Sequence, residues 1–208
     1  MLLASMALGS AGALAEQLTV VDYWRPVFSL PVSIGGFPFS VEGFLLMFAL
    51  GGICAAVFER IATRMGHGQL PPVTLGTVAW LTVWMTGAAV LLFATGAGLG
   101  VYSQSALVVA GVVTGLAMLS RHGRLLTLAT VLAVANGAVY WLFYVLIFVP
   151  MFPGCFEAMW KLENTWGVRV GTVPLEEVTW AMLTMFFGGP LARAAAPPRR
   201  DRARGAVT

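Results

Sequence analysis

Five apolar runs, each close to the length that crosses a bilayer, account for most of this chain and leave it few ways to fold. They cover residues 41–58, 73–97, 102–119, 125–152 and 174–192, and a shorter sixth run covers 1–15. A helix needs roughly 20 apolar residues to cross ~30 Å of hydrocarbon. The sequence therefore predicts an all-α polytopic membrane protein of about six transmembrane helices. Glycine and proline inside the runs are no objection, because membrane helices tolerate both. Composition agrees: 59% of residues are hydrophobic and only 10% charged. The mean hydropathy of +0.85 is far from that of a soluble domain.

The run at 1–15 has a second reading. Ala13-Leu14-Ala15 resembles a signal-peptidase site, and the run has the length of a signal-peptide core. No Lys or Arg precedes it, however, and its counterpart further along the chain spans a membrane. It is taken as a retained helix, short by about a turn.

Seven of the nine acidic residues fall into two copies of one pattern. The first copy reads Glu16, Asp22-Tyr23-Trp24, then Ser40-Val41-Glu42; the second reads Glu157, Glu163-Asn164-Thr165-Trp166, then Pro174-Leu175-Glu176-Glu177. Each ends with an acid entering an apolar run that carries a Gly-Gly pair, Gly51-Gly52 or Gly188-Gly189. Carboxylates near hydrocarbon are costly unless paired or protonated, so a repeated set points to chemistry or proton handling. The implied organisation is an internal parallel duplication. Residues 1–60 form the first repeat, 73–119 a connecting helix pair, 125–193 the second repeat, and 194–208 a basic tail. Parallel repeats place equivalent groups about an axis along the membrane normal. Glu16 would then face Glu157, and Glu42 would face Glu176.

Charge sets an orientation. Arg60, Arg64, Arg121, Arg124, Arg193, Arg199, Arg200, Arg202 and Arg204 share one side, leaving Arg25, Lys161 and Arg169 on the other. The positive-inside rule puts the richer side, and both termini, in the cytoplasm of a bacterial-type inner membrane, with the acidic loops outward. The tail Pro197-Pro198-Arg199-Arg200-Asp201-Arg202 is a topology signal that touches anionic lipid, and nucleic acid is not expected as a partner. Cys54 and Cys155 differ too much in depth to form a disulfide. His67 and His122 lie beside arginines without a Cys or His cluster, so no metal site is expected. The glycines follow no dinucleotide fingerprint. Asn136, inside an apolar run, suits an interhelical hydrogen bond, and Trp80 and Trp84 suit an interface or lipid-facing pair.

Gly171-Thr172-Val173-Pro174-Leu175-Glu176-Glu177, followed by an aromatic apolar helix, resembles the Pro-x-Glu-Glu signature of the integral-membrane lycopene cyclase domain. This is the small, non-flavin carotenoid cyclase type, which occurs as heterodimers or tandem fusions. Trp166-Gly167-Val168-Arg169-Val170-Gly171 is similar to the segment that precedes the motif in that family. Asp22-Tyr23-Trp24-Arg25-Pro26 through Glu42 is similar to a diverged copy of the same unit. That copy has Ser40-Val41-Glu42-Gly43 where the family pattern has a second acid.

The resemblance implies proton-initiated cyclisation of a carotenoid end group. An alkene is a weak base, so the acid must be strong or held protonated, and two adjacent carboxylates at a hydrocarbon boundary supply an acid and a base. Glu176, Glu177, Glu42, Glu163 and Asp22 are the candidate catalytic residues. Trp180, Trp166 and Trp24 are candidates to stabilise a cation, and Glu16 and Glu157 are secondary acids. No net redox change occurs, so no cofactor is expected. The expected partners are a carotenoid or other isoprenoid lipid, the membrane, and a homo- or hetero-oligomer.

Alternatives remain at this level. Pro174 with Glu176 and Glu177 is ordinary helix-start chemistry, and Ser40 with Glu42 an ordinary cap. Trp24, Trp160 and Trp166 suit an interfacial belt. Intramembrane acids on parallel repeats also suit a small proton- or ion-coupled transporter or channel subunit. A non-catalytic partner of a carotenoid enzyme is a third alternative.

Overall fold

A computed structural model describes residues 2–27, 30–34, 37–67, 75–120 and 122–195. Arg121 and residues 196–208 of the expected basic tail lie outside the described residues. The chain is mostly helical, as expected. Its long helices are α1 (Leu2–Asp22), α2 (Val41–Arg64), α3 (Leu75–Gly96), α4 (Ser103–Leu119) and α5 (Gly123–Phe143). After α5 come a π-helical turn (Tyr144–Phe148), two short helices α6 (Val149–Met151) and α7 (Cys155–Met159), and the long α8 (Leu175–Ala195). Two small antiparallel hairpins sit beside the helix starts. β1 (Pro31–Ile34) pairs with β2 (Phe37–Ser40) before α2, and β3 (Arg169–Val170) pairs with β4 (Val173–Pro174) before α8. Gly171, at φ +68°, supplies the left-handed turn of the second hairpin.

Among the described residues, two helices are long and apolar enough to cross a membrane by length and composition, Val41–Arg64 and Gly123–Met151. Large apolar side chains stand on the outside of the bundle, among them Leu45, Ile53, Trp80, Trp84, Val113, Val134 and Leu146. Trp80 and Trp84 stack with centroids 6.0 Å apart. Polar side chains go inside instead: Ser5, Glu16, Ser103, Gln104, Thr114 and Glu176 are all buried. Asn136 donates to the Ala181 carbonyl across the α5–α8 contact at 2.7 Å, the interhelical bond expected of it. Cys54 and Cys155 are both free thiols.

Two helix pairs dominate the packing. α1 lies along α2, α5 lies along α8, and α2 packs on α8 between them. Small residues set both close approaches. A Cβ on Gly9 would come within 2.9 Å of the Phe44 ring, and one on Gly137 would meet Val178 Cγ1 at 3.3 Å. Such close backbones are the usual way for helices to associate where lipid gives no hydrophobic drive.

Two boundaries differ from expectation. The first run continues as helix to Asp22 and does not end at Ala15, so Glu16 and Asp22 are helical residues and not loop residues. The fifth run is interrupted by the π turn, where the Val149 N–H reaches back to the Tyr144 carbonyl. Pro150 explains it. Proline lacks an N–H and its ring crowds the carbonyl one turn earlier, and widening that turn relieves both problems. The consequence is local: Tyr144 and Phe148 are rotated together into the interior.

Candidate functional site

A cavity of ≈ 400 Å³ opens among α1, α2, the π turn and α8, and both halves of the chain contribute to it. Glu16, Thr19, Tyr23, Trp24 and Gly43 line it from the first half; Tyr140, Tyr144, Trp160, Glu177 and Trp180 line it from the second; Gln104 of α4 completes the polar part.

Glu177 is the best-held group in it. Tyr23 donates to its Oε1 at 2.7 Å, the Trp160 indole N–H to the same oxygen at 2.9 Å, and Tyr144 to Oε2 at 2.9 Å. Tyr140 lies 3.4 Å from the Tyr144 hydroxyl, extending the network. Burial, then the nearby Glu177 charge, pushes the Tyr23 phenol well above its ordinary value, so it remains a donor. Two of the chain's four tyrosines thus donate to one carboxylate, and a third stands behind them. Around it the rings pack edge to face: Tyr140–Tyr144 centroids are 4.9 Å apart and Tyr144–Phe148 5.2 Å. Trp24 faces Trp160 at 6.2 Å.

The two acidic loops are stitched together over this cavity. The Arg25 N–H donates to the Met159 carbonyl at 2.6 Å and the Lys161 N–H to the Tyr23 carbonyl at 2.8 Å. The Lys161 ammonium holds the Val20 and Val21 carbonyls at the end of α1, at 3.1 and 2.7 Å, where a cation complements the helix dipole. This stitching brings Tyr23 and Trp160 to Glu177 from the two loops.

The other candidates are placed differently. Glu176 is fully buried but does not line the cavity, and its Oε1 accepts from the Trp166 N–H. Asp22 accepts from both the N–H and the hydroxyl of Ser103, the first residue of α4. Glu42 accepts from the Leu30 N–H at 2.9 Å. Glu163 and Glu157 are largely exposed, paired with Arg25 at 3.7 Å and Arg169 at 3.4 Å, and surface pairs of this kind contribute little. Glu16 and Glu157 therefore do not form the facing pair that the repeat suggested: one lines the cavity and the other is at the surface. Of the tryptophans, Trp180 and Trp24 line the cavity, whereas Trp166 donates to Ser105 at 2.8 Å outside it.

Sequence reasoning missed Tyr23, Tyr140, Tyr144 and Gln104, and assigned Trp160 to an interfacial belt. A signal was present: Tyr140 and Tyr144 are one helical turn apart in an otherwise apolar run that also holds Asn136.

Among the described residues no group of His, Cys, Asp and Glu is arranged to hold a metal. Neither the curated proteins nor the solved structures gave a match to the chain. The family model described as lycopene cyclase matches residues 102–193. That segment runs from the start of α4 to within α8, and it carries Tyr140, Tyr144, Trp160, Glu177 and Trp180; Glu16, Tyr23 and Trp24 lie before it. Over residues 102–193, the chain is thus similar to the lycopene cyclase family.

Proposed function

We propose that the protein cyclises an end group of an acyclic carotenoid such as lycopene, with Glu177 at the centre of the site. One observation carries this reading: a half-buried carboxylate held by three side-chain donors at the wall of an aromatic-lined cavity. Protonation of the terminal trisubstituted alkene gives a tertiary cation. A neighbouring double bond attacks it to close the ring, and a different proton leaves. One proton enters and one departs with no change of oxidation state, so the reaction is an isomerisation and needs no redox cofactor. The faces of Trp24, Trp160 and Trp180, with Tyr140 and Tyr144, surround the path of the positive charge, where ring quadrupoles stabilise it. Water must be kept out, since it would capture the cation, and apolar walls serve that purpose.

Glu176 has a supporting role in this reading. Its bond to the Trp166 backbone fixes the chain leading into α8, so that the next residue, Glu177, meets its donors. The substrate is an isoprenoid lipid that enters from the bilayer, and the apolar exterior of the bundle supports a lipid-embedded protein. We further place six spans in the membrane as two parallel repeats, both termini cytoplasmic and the stitched acidic loops outward, on the distribution of the basic residues. Assembly with a second copy or a related cyclase subunit is compatible with the heterodimers of the family.

Two experiments test this. Expression in a lycopene-accumulating cell should convert the pigment to cyclic products, and unchanged lycopene would refute the activity. Reporter fusions after His67 and after Thr172 should report opposite sides, the second one outside. A common side would refute the topology.

A further inference from the structure

The first repeat lacks an acid at Gly43, the position that corresponds to Glu177 when Glu42 is set against Glu176. The cavity nevertheless has a carboxyl at that place. A Cβ on Gly43 would run into Glu16 Oε2, and would stand 3.1 Å from Glu16 Cδ and 2.8 Å from the Ser40 hydroxyl. Glu16, from α1, fills the space that a side chain at 43 would need. The helix pairs make the exchange reciprocal. Gly9 packs on Phe44, one residue past Gly43, and Gly137, which meets Met182 first, also meets Val178, one residue past Glu177. Two helical turns beyond those glycines stand Glu16 and Tyr144. In one repeat the acid is on the second helix and meets a tyrosine; in the other the acid is on the first helix and meets a glycine.

Glu16 is also a carboxyl with an oxygen to spare. It is only 7% exposed, it lines the cavity, and its Oε2 has no hydrogen-bond partner among the described residues. The Gln104 Nε2, on the same cavity, is likewise buried without a partner. Buried polar atoms are nearly always satisfied, so two orphans lining one cavity point to an occupant or a task.

We propose that Glu16 is the proton donor of this cavity and Glu177 its proton acceptor, Glu16 having replaced the acid missing at Gly43. This assignment rests on the cyclase reading above. Glu177 already accepts three hydrogen bonds, which suits the charged partner that attends a cation and takes up a proton. Glu16 Oε2 makes no hydrogen bond among the described residues, which leaves it free to carry a proton into the cavity. In a turnover the Glu16 proton adds to the terminal alkene carbon, the ring bond forms, and the proton lost beside the ring passes to Glu177. Return of that proton to Glu16 through solvent resets the pair.

The test has a chemical arm and a pigment arm. Dicyclohexylcarbodiimide is an apolar reagent that consumes carboxyl groups in their acid form. It should modify Glu16 in the folded full-length protein, as read by peptide mass, and lycopene should protect it. In lycopene-accumulating cells Glu16→Gln should lower conversion about 10²-fold or more, with Glu16→Asp retaining part of it. Glu16→Gly should be equally poor, and the double variant Glu16→Gly with Gly43→Glu should recover about tenfold over it, since the acid is then restored from the other helix. Absence of carbodiimide modification at Glu16, or conversion by Glu16→Gln at the unmodified protein's level, overturns the assignment. If the unmodified protein converts no lycopene while Glu16 is modified and protected, the cyclase reading fails and Glu16 stands as a proton carrier of a lipid-binding cavity.

Discussion

Glu177→Gln is expected to reduce carotenoid conversion about 10²–10⁴-fold, while Glu176→Gln changes it no more than a few-fold. The two residues are neighbours of the same type, so this contrast removes composition and helix-dipole effects from the comparison. Glutamine at 177 retains an oxygen for Tyr23 and Trp160 but presents an amide, itself a donor, toward the Tyr144 hydroxyl. That mismatch costs about 1–3 kcal/mol, which a folded membrane protein survives, and the residue loses its capacity to take up a proton. Glutamine at 176 still offers an oxygen to the Trp166 N–H, so the approach to α8 stays in place. The checks are pigment analysis at matched expression and thermal unfolding in detergent. Full conversion by the Glu177→Gln protein would remove Glu177 from the chemistry. A loss as deep for Glu176→Gln would move the reaction to the other side of α8.

Sequence reasoning favours Glu176, because its counterpart Glu42 is the acid kept in the first copy of the pattern. Which side of α8 faces the cavity is not legible there, and the reason is geometric. Successive residues on a helix point about 100° apart, so the side of α8 that faces the cavity depends on how the helix is rotated against α5 and α1. That rotation is set by Gly137 against Val178 and by Asn136 on the Ala181 carbonyl, contacts between residues some forty positions apart. What was legible is what depends on local chemistry. The apolar runs marked the helices, Ser40 marked the start of α2, where it accepts from the Gly43 N–H at 2.8 Å, and the Pro-x-Glu-Glu segment marked the family. The continuation of α1 to Asp22 was hidden because Glu16, Gln17 and Asp22 look like the edge of a loop. Asp22 is held there by another element, its carboxylate on Ser103, and Glu16 is buried against Gly43 of α2. The role of Trp160 was hidden for a related reason. An interfacial indole and an indole donating to a cavity carboxylate have the same sequence surroundings, and only the stitching of the two loops separates them.

Asp22→Ala should be the most damaging to stability of the changes at the acidic loops. Although the repeat pattern offered Asp22 as a catalytic acid, its carboxylate holds the N-terminus of α4. It accepts the Ser103 N–H at 2.8 Å as well as the Ser103 hydroxyl, and no side-chain cap from Tyr102 is present to replace it. Ser103 is fully buried, so alanine would leave two buried donors without partners. Each costs about 1–3 kcal/mol when stranded away from water, and the favourable charge at the helix N-terminus is lost as well. The Asp22 backbone carbonyl, bound by the Asn164 side chain at 2.6 Å, keeps the two loops attached in either variant. Asp22→Asn should therefore be milder, because one oxygen still accepts from Ser103. Unfolding midpoints in detergent should rank the unmodified protein above Asn, and Asn above Ala. Conversion per folded molecule should remain near the unmodified level in Asp22→Asn, because an anchoring carboxylate needs only an acceptor and a catalytic one needs an exchangeable proton. A loss of about 10²-fold in Asp22→Asn with an unchanged midpoint would return Asp22 to the catalytic set.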